Sequence, residues 1–192
     1  MSINLSKNST ISLTKEVEKL SSITVGLGWD VAKSKGFLAS IFGTASIDLD
    51  ASCLLIDENL NVLDSVWYAQ LKSKCKSVIH QGDNLTGKGD GDDEKITINL
   101  TKLPNSVKYI AVTVNSFRGQ TFDKVENAFC RILDQSSNEI CRFTLNEQGS
   151  HTGIYIGLLT YKNKEWNFTS KGVNANGSNV NQIASTVLQH IY

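Results

Sequence analysis

Only one proline stands in 192 residues. No proline-rich linker divides the chain, and no composition shift or internal repeat marks a boundary, so residues 1–192 read as a single domain. Long apolar runs are also missing. The longest are of the kind Cys53-Leu54-Leu55-Ile56, against roughly 20 residues needed for a helix to span a bilayer. The opening Met-Ser-Ile-Asn-Leu-Ser-Lys lacks the apolar core of a secretion signal, which points to the cytoplasm.

Charge of one sign is not in excess. Lys plus Arg number 19 and Asp plus Glu number 19, which removes the basic footprint of a nucleic-acid binder or membrane-surface protein. Histidine is sparse. His80, His151 and His190 lack the neighbours that mark a nucleophile elbow or a zinc helix. The four cysteines, Cys53, Cys75, Cys130 and Cys141, include no Cys-x-x-Cys pair. That spacing argues against zinc and for free thiols in a reducing compartment.

Against this neutral background one stretch is sharply acidic. Residues 82–94 read Gly-Asp-Asn-Leu-Thr-Gly-Lys-Gly-Asp-Gly-Asp-Asp-Glu. Asp83, Asp90, Asp92, Asp93 and Glu94 repel one another unless a cation sits among them. A hard divalent ion with oxygen ligands is the natural candidate. The glycines let the backbone turn tightly and expose carbonyls. Apolar residues bound the stretch on both sides, unlike an acidic disordered tail.

The rest of the chain is mostly β. The pattern predicts strands over 10–13, 22–29, 45–56, 62–68, 77–80, 95–100, 107–115, 128–133, 140–145, 152–161 and from Trp166, with 45–56 and 62–68 as a hairpin. A mixed connection occupies 31–44. A short helix is expected near 122–127. Val180, Ile183, Val187, Leu188 and Ile191 fall at helical spacing, with Asn179 as cap. The fold class is therefore mainly β, a two-sheet sandwich with a C-terminal helix and one or two short helices.

In strand 45–56 the residues alternate. Asp48, Asp50 and Ser52 share one face, Leu49, Ala51 and Cys53 the other. Carboxylates are uncommon in strands. They either face solvent or supply oxygens to the acidic loop, and Asp30 after Trp29 stands at a similar strand end. Arg118 either pairs with an acid or orients one.

Three motifs fail on this material. An EF-hand counted from Asp48 meets Cys53 where glycine is required and Asn59 where glutamate is required. Gly82 to Lys88 matches the start of a phosphate-binding loop. Gly89 then replaces the Ser or Thr, and the acids that follow repel phosphate. A paired-carboxylate hydrolase lacks a sugar platform, since Trp29, Trp67 and Trp166 are scattered and read as core.

Four segments resemble the TerD-type tellurium-resistance and stress-response family. They are Val25-Gly-Leu-Gly-Trp-Asp30, Asp48-Leu-Asp-Ala-Ser52, the loop 82–94, and Asn115 to Phe129. Ile3-Asn-Leu-Ser-Lys is similar to the family's opening, although Asn8 stands where a glycine is common. The resemblance implies a calcium-binding β-sandwich with no established catalytic activity, linked to tellurite and chemical stress. Partners would be calcium and other stress-response proteins. The implied ligands are Asp83, Asn84, Asp90, Asp92, Asp93 and Glu94 from the loop, with Asp30, Asp48 and Asp50 from strand ends. Calcium takes about 6 to 8 oxygens, so this set suffices for two adjacent ions. The rival reading is a calcium-bridged sensor of a small phosphorylated ligand such as a cyclic nucleotide.

Overall fold

The computed structural model describes residues 2–31, 48–82, 91–146 and 148–192. Among them, two six-stranded sheets form the body. The first contains, in spatial order, β1 (Ile3–Leu5), β10 (Glu139–Thr144), β9 (Val125–Leu133), β3 (Ser22–Val31), β7 (Glu94–Asn99) and β6 (Val78–His80). The second contains β2 (Thr10–Ser12), β12 (Glu165–Ala175), β11 (Gly153–Lys162), β8 (Tyr109–Ser116), β4 (Leu49–Ile56) and β5 (Val62–Val66). Neighbours run antiparallel except β1 with β10. The expected sandwich is the observed one.

Period-two alternation builds the core. Ile23, Val25, Leu27 and Trp29 of β3 face Leu49, Ala51, Cys53 and Leu55 of β4 across the interior, joined by Ile110, Val112 and Val114 of β8. Trp29 and Trp166 are both core residues. A second apolar layer covers the outer face of the second sheet. There Leu54, Ala111 and Tyr155 meet Val180, Ile183 and Val187 of the helix α2 (Val180–Gln189). Asn179 caps α2 by accepting from the amides of Asn181 and Gln182.

Some local expectations shift. Leu13 opens a one-turn helix, α1 (Leu13–Glu16), instead of ending a strand. The helix expected near 122–127 is only a 3₁₀ turn, Phe122–Lys124, and β9 begins at Val125. Pairing of Val125 with Val31 of β3 outweighs the local helical signal, as tertiary context commonly does. β1 has no local signature, because its partner Cys141 lies far along the chain. The β4–β5 hairpin forms with Cys53 opposite Val66. Residues 32–47, which include the expected connection and the start of the 45–56 strand, lie outside the described residues.

Three thiols are buried and Cys75 is partly so; all four are unpaired. Burial pushes Cys53 and Cys141 up to about 12, which keeps them protonated and unreactive.

Candidate functional site

The acidic loop returns to the first sheet through residues 91–94, and its three described acids part in three directions. Asp92 lies over the outer face of β3. A Cβ on Gly26 would sit 2.5 Å from its carboxylate carbon, and one on Gly28 would sit 2.7 Å from the Gly91 carbonyl oxygen. The two glycines of the Val25–Asp30 segment therefore leave the space in which the loop docks. Both Asp92 oxygens are held by Arg131 of β9, from Nε at 2.6 Å and Nη2 at 3.0 Å. Lys95 stands 3.8 Å away. Arg131 also donates to Glu139 at 3.1 Å, and Arg142 donates to the same Glu139 at 2.7 Å. Arg142 in turn lies 4.1 Å above the Phe129 ring.

Asp93 sits at the rim. Its amide donates to the Leu27 carbonyl at 2.7 Å, and its Oδ2 accepts from the Trp29 amide at 3.0 Å. Desolvation raises its pKa against that hydrogen bond, and the charges of Asp30 and Asp92 raise it further. Asp30 is exposed and accepts from Asn127 at 2.8 Å.

Glu94 points inward. It pairs with Leu27 in the ladder and is buried. Its Oε2 accepts from the backbone amide of Ala51 in β4, beyond the point where β5 stops pairing. His80 Nε2 lies 3.5 Å from the same oxygen. His80 Nδ1 accepts from the Gly82 amide at 3.2 Å, which puts the imidazole proton on Nε2, toward Glu94.

Asp48 and Asp50 face outward from the second sheet yet are buried, at 3% and 2% exposed. The solvated face allowed by the sequence is not what forms. Arg118 Nε stands 3.6 Å from Asp48, the structural ion pair that the sequence left open. Asn115, opposite Asp50 in the ladder, donates to it at 3.4 Å and to the Ser178 carbonyl at 3.0 Å. Beside them Asn115 Oδ1, Ser52 Oγ and Thr113 Oγ1 are buried without a hydrogen-bond partner among the described residues.

Of the nine ligands implied from sequence, Asp83, Asn84 and Asp90 lie outside the described residues. Asp92, Asp93 and Asp30 gather at one end of the first sheet. Glu94 crosses to β4 between the Asp50 and Ser52 positions, which brings the loop's end against the Asp48–Ser52 segment. Among the described residues alone, no group of three or more His, Cys, Asp or Glu side chains converges as a metal site. Arg131 is not among the residues singled out from sequence, and Asn115 is there only as the start of a TerD-like segment. The available signal was a charged or amide residue at an outward position of an otherwise apolar strand, Cys130-Arg131-Ile132 and Val114-Asn115.

The TerD domain model matches residues 1–186. The chain belongs to the TerD family. It is 50% identical over 190 residues to the tellurium resistance protein TerZ of Serratia marcescens, covering 98% of each. It is 37% identical to the stress response protein SCP2 of Bacillus subtilis, covering 96% of this chain and 98% of that one. The fold is that of a crystallised homologue of telluride resistance protein from Streptomyces coelicolor A3(2), with a TM-score of 0.68 at 18% identity, covering 86% of this chain and 95% of that one. The named relatives are tellurium-resistance and stress-response proteins.

Proposed function

We propose that the protein is a calcium-binding module of the tellurite and chemical stress response, acting as a binding or scaffold unit in the cytoplasm and not as an enzyme. One observation carries the reading. Glu94, at the end of the acidic loop, bonds the Ala51 amide, so the described end of the loop meets the strand that carries Asp50.

The available donors suit a hard cation. They are carboxylate, amide and hydroxyl oxygens, with no thiolate among them. Asp93 is desolvated beside Asp30 and Asp92, and a cation would relieve that cost. The buried oxygens of Asn115, Ser52 and Thr113 extend the oxygen-rich patch around Asp50. Asp30, Asp48, Asp50 and Asp93 would join Asp83, Asn84 and Asp90 of the loop as ligands to two ions. Asp92 and Glu94 would serve chiefly to fix the loop's end through Arg131 and Ala51. Four free cysteines suit a reducing cytoplasm, and other stress-response proteins are the proposed partners.

A thermal scan tests the metal. Calcium at a hundred times its Kd should raise Tm on the order of 5–10 °C over the EDTA-treated protein. An unchanged Tm rejects calcium binding.

A second reading is a calcium-bridged sensor of a small phosphorylated ligand. It rests on Arg118, 55% exposed beside Asp48, and on the exposed Phe117 ring 5.2 Å from Tyr68. Equilibrium dialysis with cyclic AMP should then show binding in calcium and none in EDTA.

A further inference from the structure

The end of the sandwich remote from the acids carries its own concavity. A groove of about 370 Å³ opens there, within the size range of small-molecule sites. It lies where β3 begins, β7 ends and the β11–β12 hairpin turns. Seven residue steps along β8 lead from Lys108 to Asn115, about 23 Å at strand rise, so the groove is distinct from the acidic site.

Its chemistry is asymmetric. Leu100, Val107 and Trp166 form a buried apolar floor, and Tyr161, 41% exposed and 5.1 Å from Trp166, forms an aromatic wall. Among the described residues the charged ones in the lining are Lys108 and Lys164, with no carboxylate. Neither lysine forms an ion pair among the described residues. The neighbouring Glu165 is engaged by Lys15 at 3.3 Å and by Ser12 at 3.1 Å.

The backbone sets where Lys164 stands. Lys162 pairs with Glu165, leaving Asn163 and Lys164 as a two-residue turn with φ of 53° and 64°. Such turns favour Asn-Gly, because a side chain at the second position strains the left-handed conformation. Here lysine holds that position and lines the groove.

We propose that this groove binds a small organic anion with a flat apolar body, the ring lying against Tyr161 and Trp166 and the anionic group held by Lys108 and Lys164. The site works without the metal.

The test is an amide-resolved NMR titration of the full chain in EDTA with 1-naphthyl phosphate, run beside inorganic phosphate and 1-naphthol. Saturable shifts are expected at Leu103, Val107, Tyr161 and Trp166. Affinity should exceed that of either fragment by at least about tenfold, and should fall about tenfold in a Lys108→Ala/Lys164→Gly variant. Lys164→Gly alone should weaken binding while its Tm stays equal or rises, because the turn strain is relieved. Absence of saturable shifts overturns the proposal. So do shifts confined to other residues, equal binding of inorganic phosphate, or a double variant that binds as the parent does. Because EDTA is present throughout, failure here leaves the calcium reading standing, and the reverse holds too.

Discussion

Arg131 grips Asp92 with both arms of its guanidinium, at 2.6 Å and 3.0 Å. Asp92, one of the ligands the family resemblance implies, thereby anchors the loop's return strand. The pair lies over Gly26, whose missing Cβ makes room for it. The side chain of Asp92 is fully buried, so the pairing offsets a desolvation cost that would otherwise oppose the fold.

Asp92→Ala should therefore destabilise the protein in EDTA, where no calcium acts, by about 2–4 kcal/mol, because Arg131 loses its two-armed partner and keeps only Glu139. Adding Arg131→Met should recover part of that loss. Urea unfolding of the four members of the cycle measures it. Additive effects would show that the pair is not coupled.

Glu139 gives a pH dependence. Hydrogen bonds from Arg142, then from Ser2 and Arg131, hold its carboxyl down from 4.5 to about 2. A carboxylate depressed in the fold contributes stability that is full above about 4.5 and fades as pH falls toward 2. Glu139→Gln should cost roughly 1–3 kcal/mol at pH 7, allowing for solvent screening. The gap between the two proteins should narrow steadily between pH 4.5 and 2. A gap unchanged down to pH 2 would contradict the assignment.

Asp50→Asn separates the metal from the fold. It retains the shape and the Asn115 contact but removes a charge, so the calcium-induced rise in Tm should shrink by half or more. Asp64 accepts from Lys74, Gln70 and Ser65 well away from the acidic site. Asp64→Ala should lower Tm and leave the calcium increment intact. Equal loss of the increment in both variants would remove Asp50 from the site.

Gly153 and Ile183 test how α2 is seated. A Cβ on Gly153 would lie 2.6 Å from Ile183 Cδ1. Gly153→Ala should cost about 1–3 kcal/mol by overpacking. Ile183→Val removes that methyl, so the double variant should be less destabilised than the sum of the singles. Strict additivity in thermal unfolding would place the clash elsewhere, for instance on the Val114 carbonyl 3.2 Å away.

Strand alternation and helical spacing are local properties, and the sequence by itself determined what rests on them. The two-sheet sandwich, the β4–β5 hairpin, the cap at Asn179 and the core and outward faces of β4 were all legible, because burial enforces period two or 3.6 on neighbouring residues. Family membership was legible in the segments around Asp30, Asp48 and the loop. The tertiary structure decided the rest. Whether Phe122–Asn127 became helix or strand depended on a partner in β3. Whether Asp48 and Asp50 met water depended on elements folded over the second sheet. The separate directions taken by Asp92, Asp93 and Glu94 depended on Arg131, Trp29 and Ala51, each distant along the chain. A carboxylate's role is set by the charge and the amide it meets in space, and no local pattern in the chain carries that information.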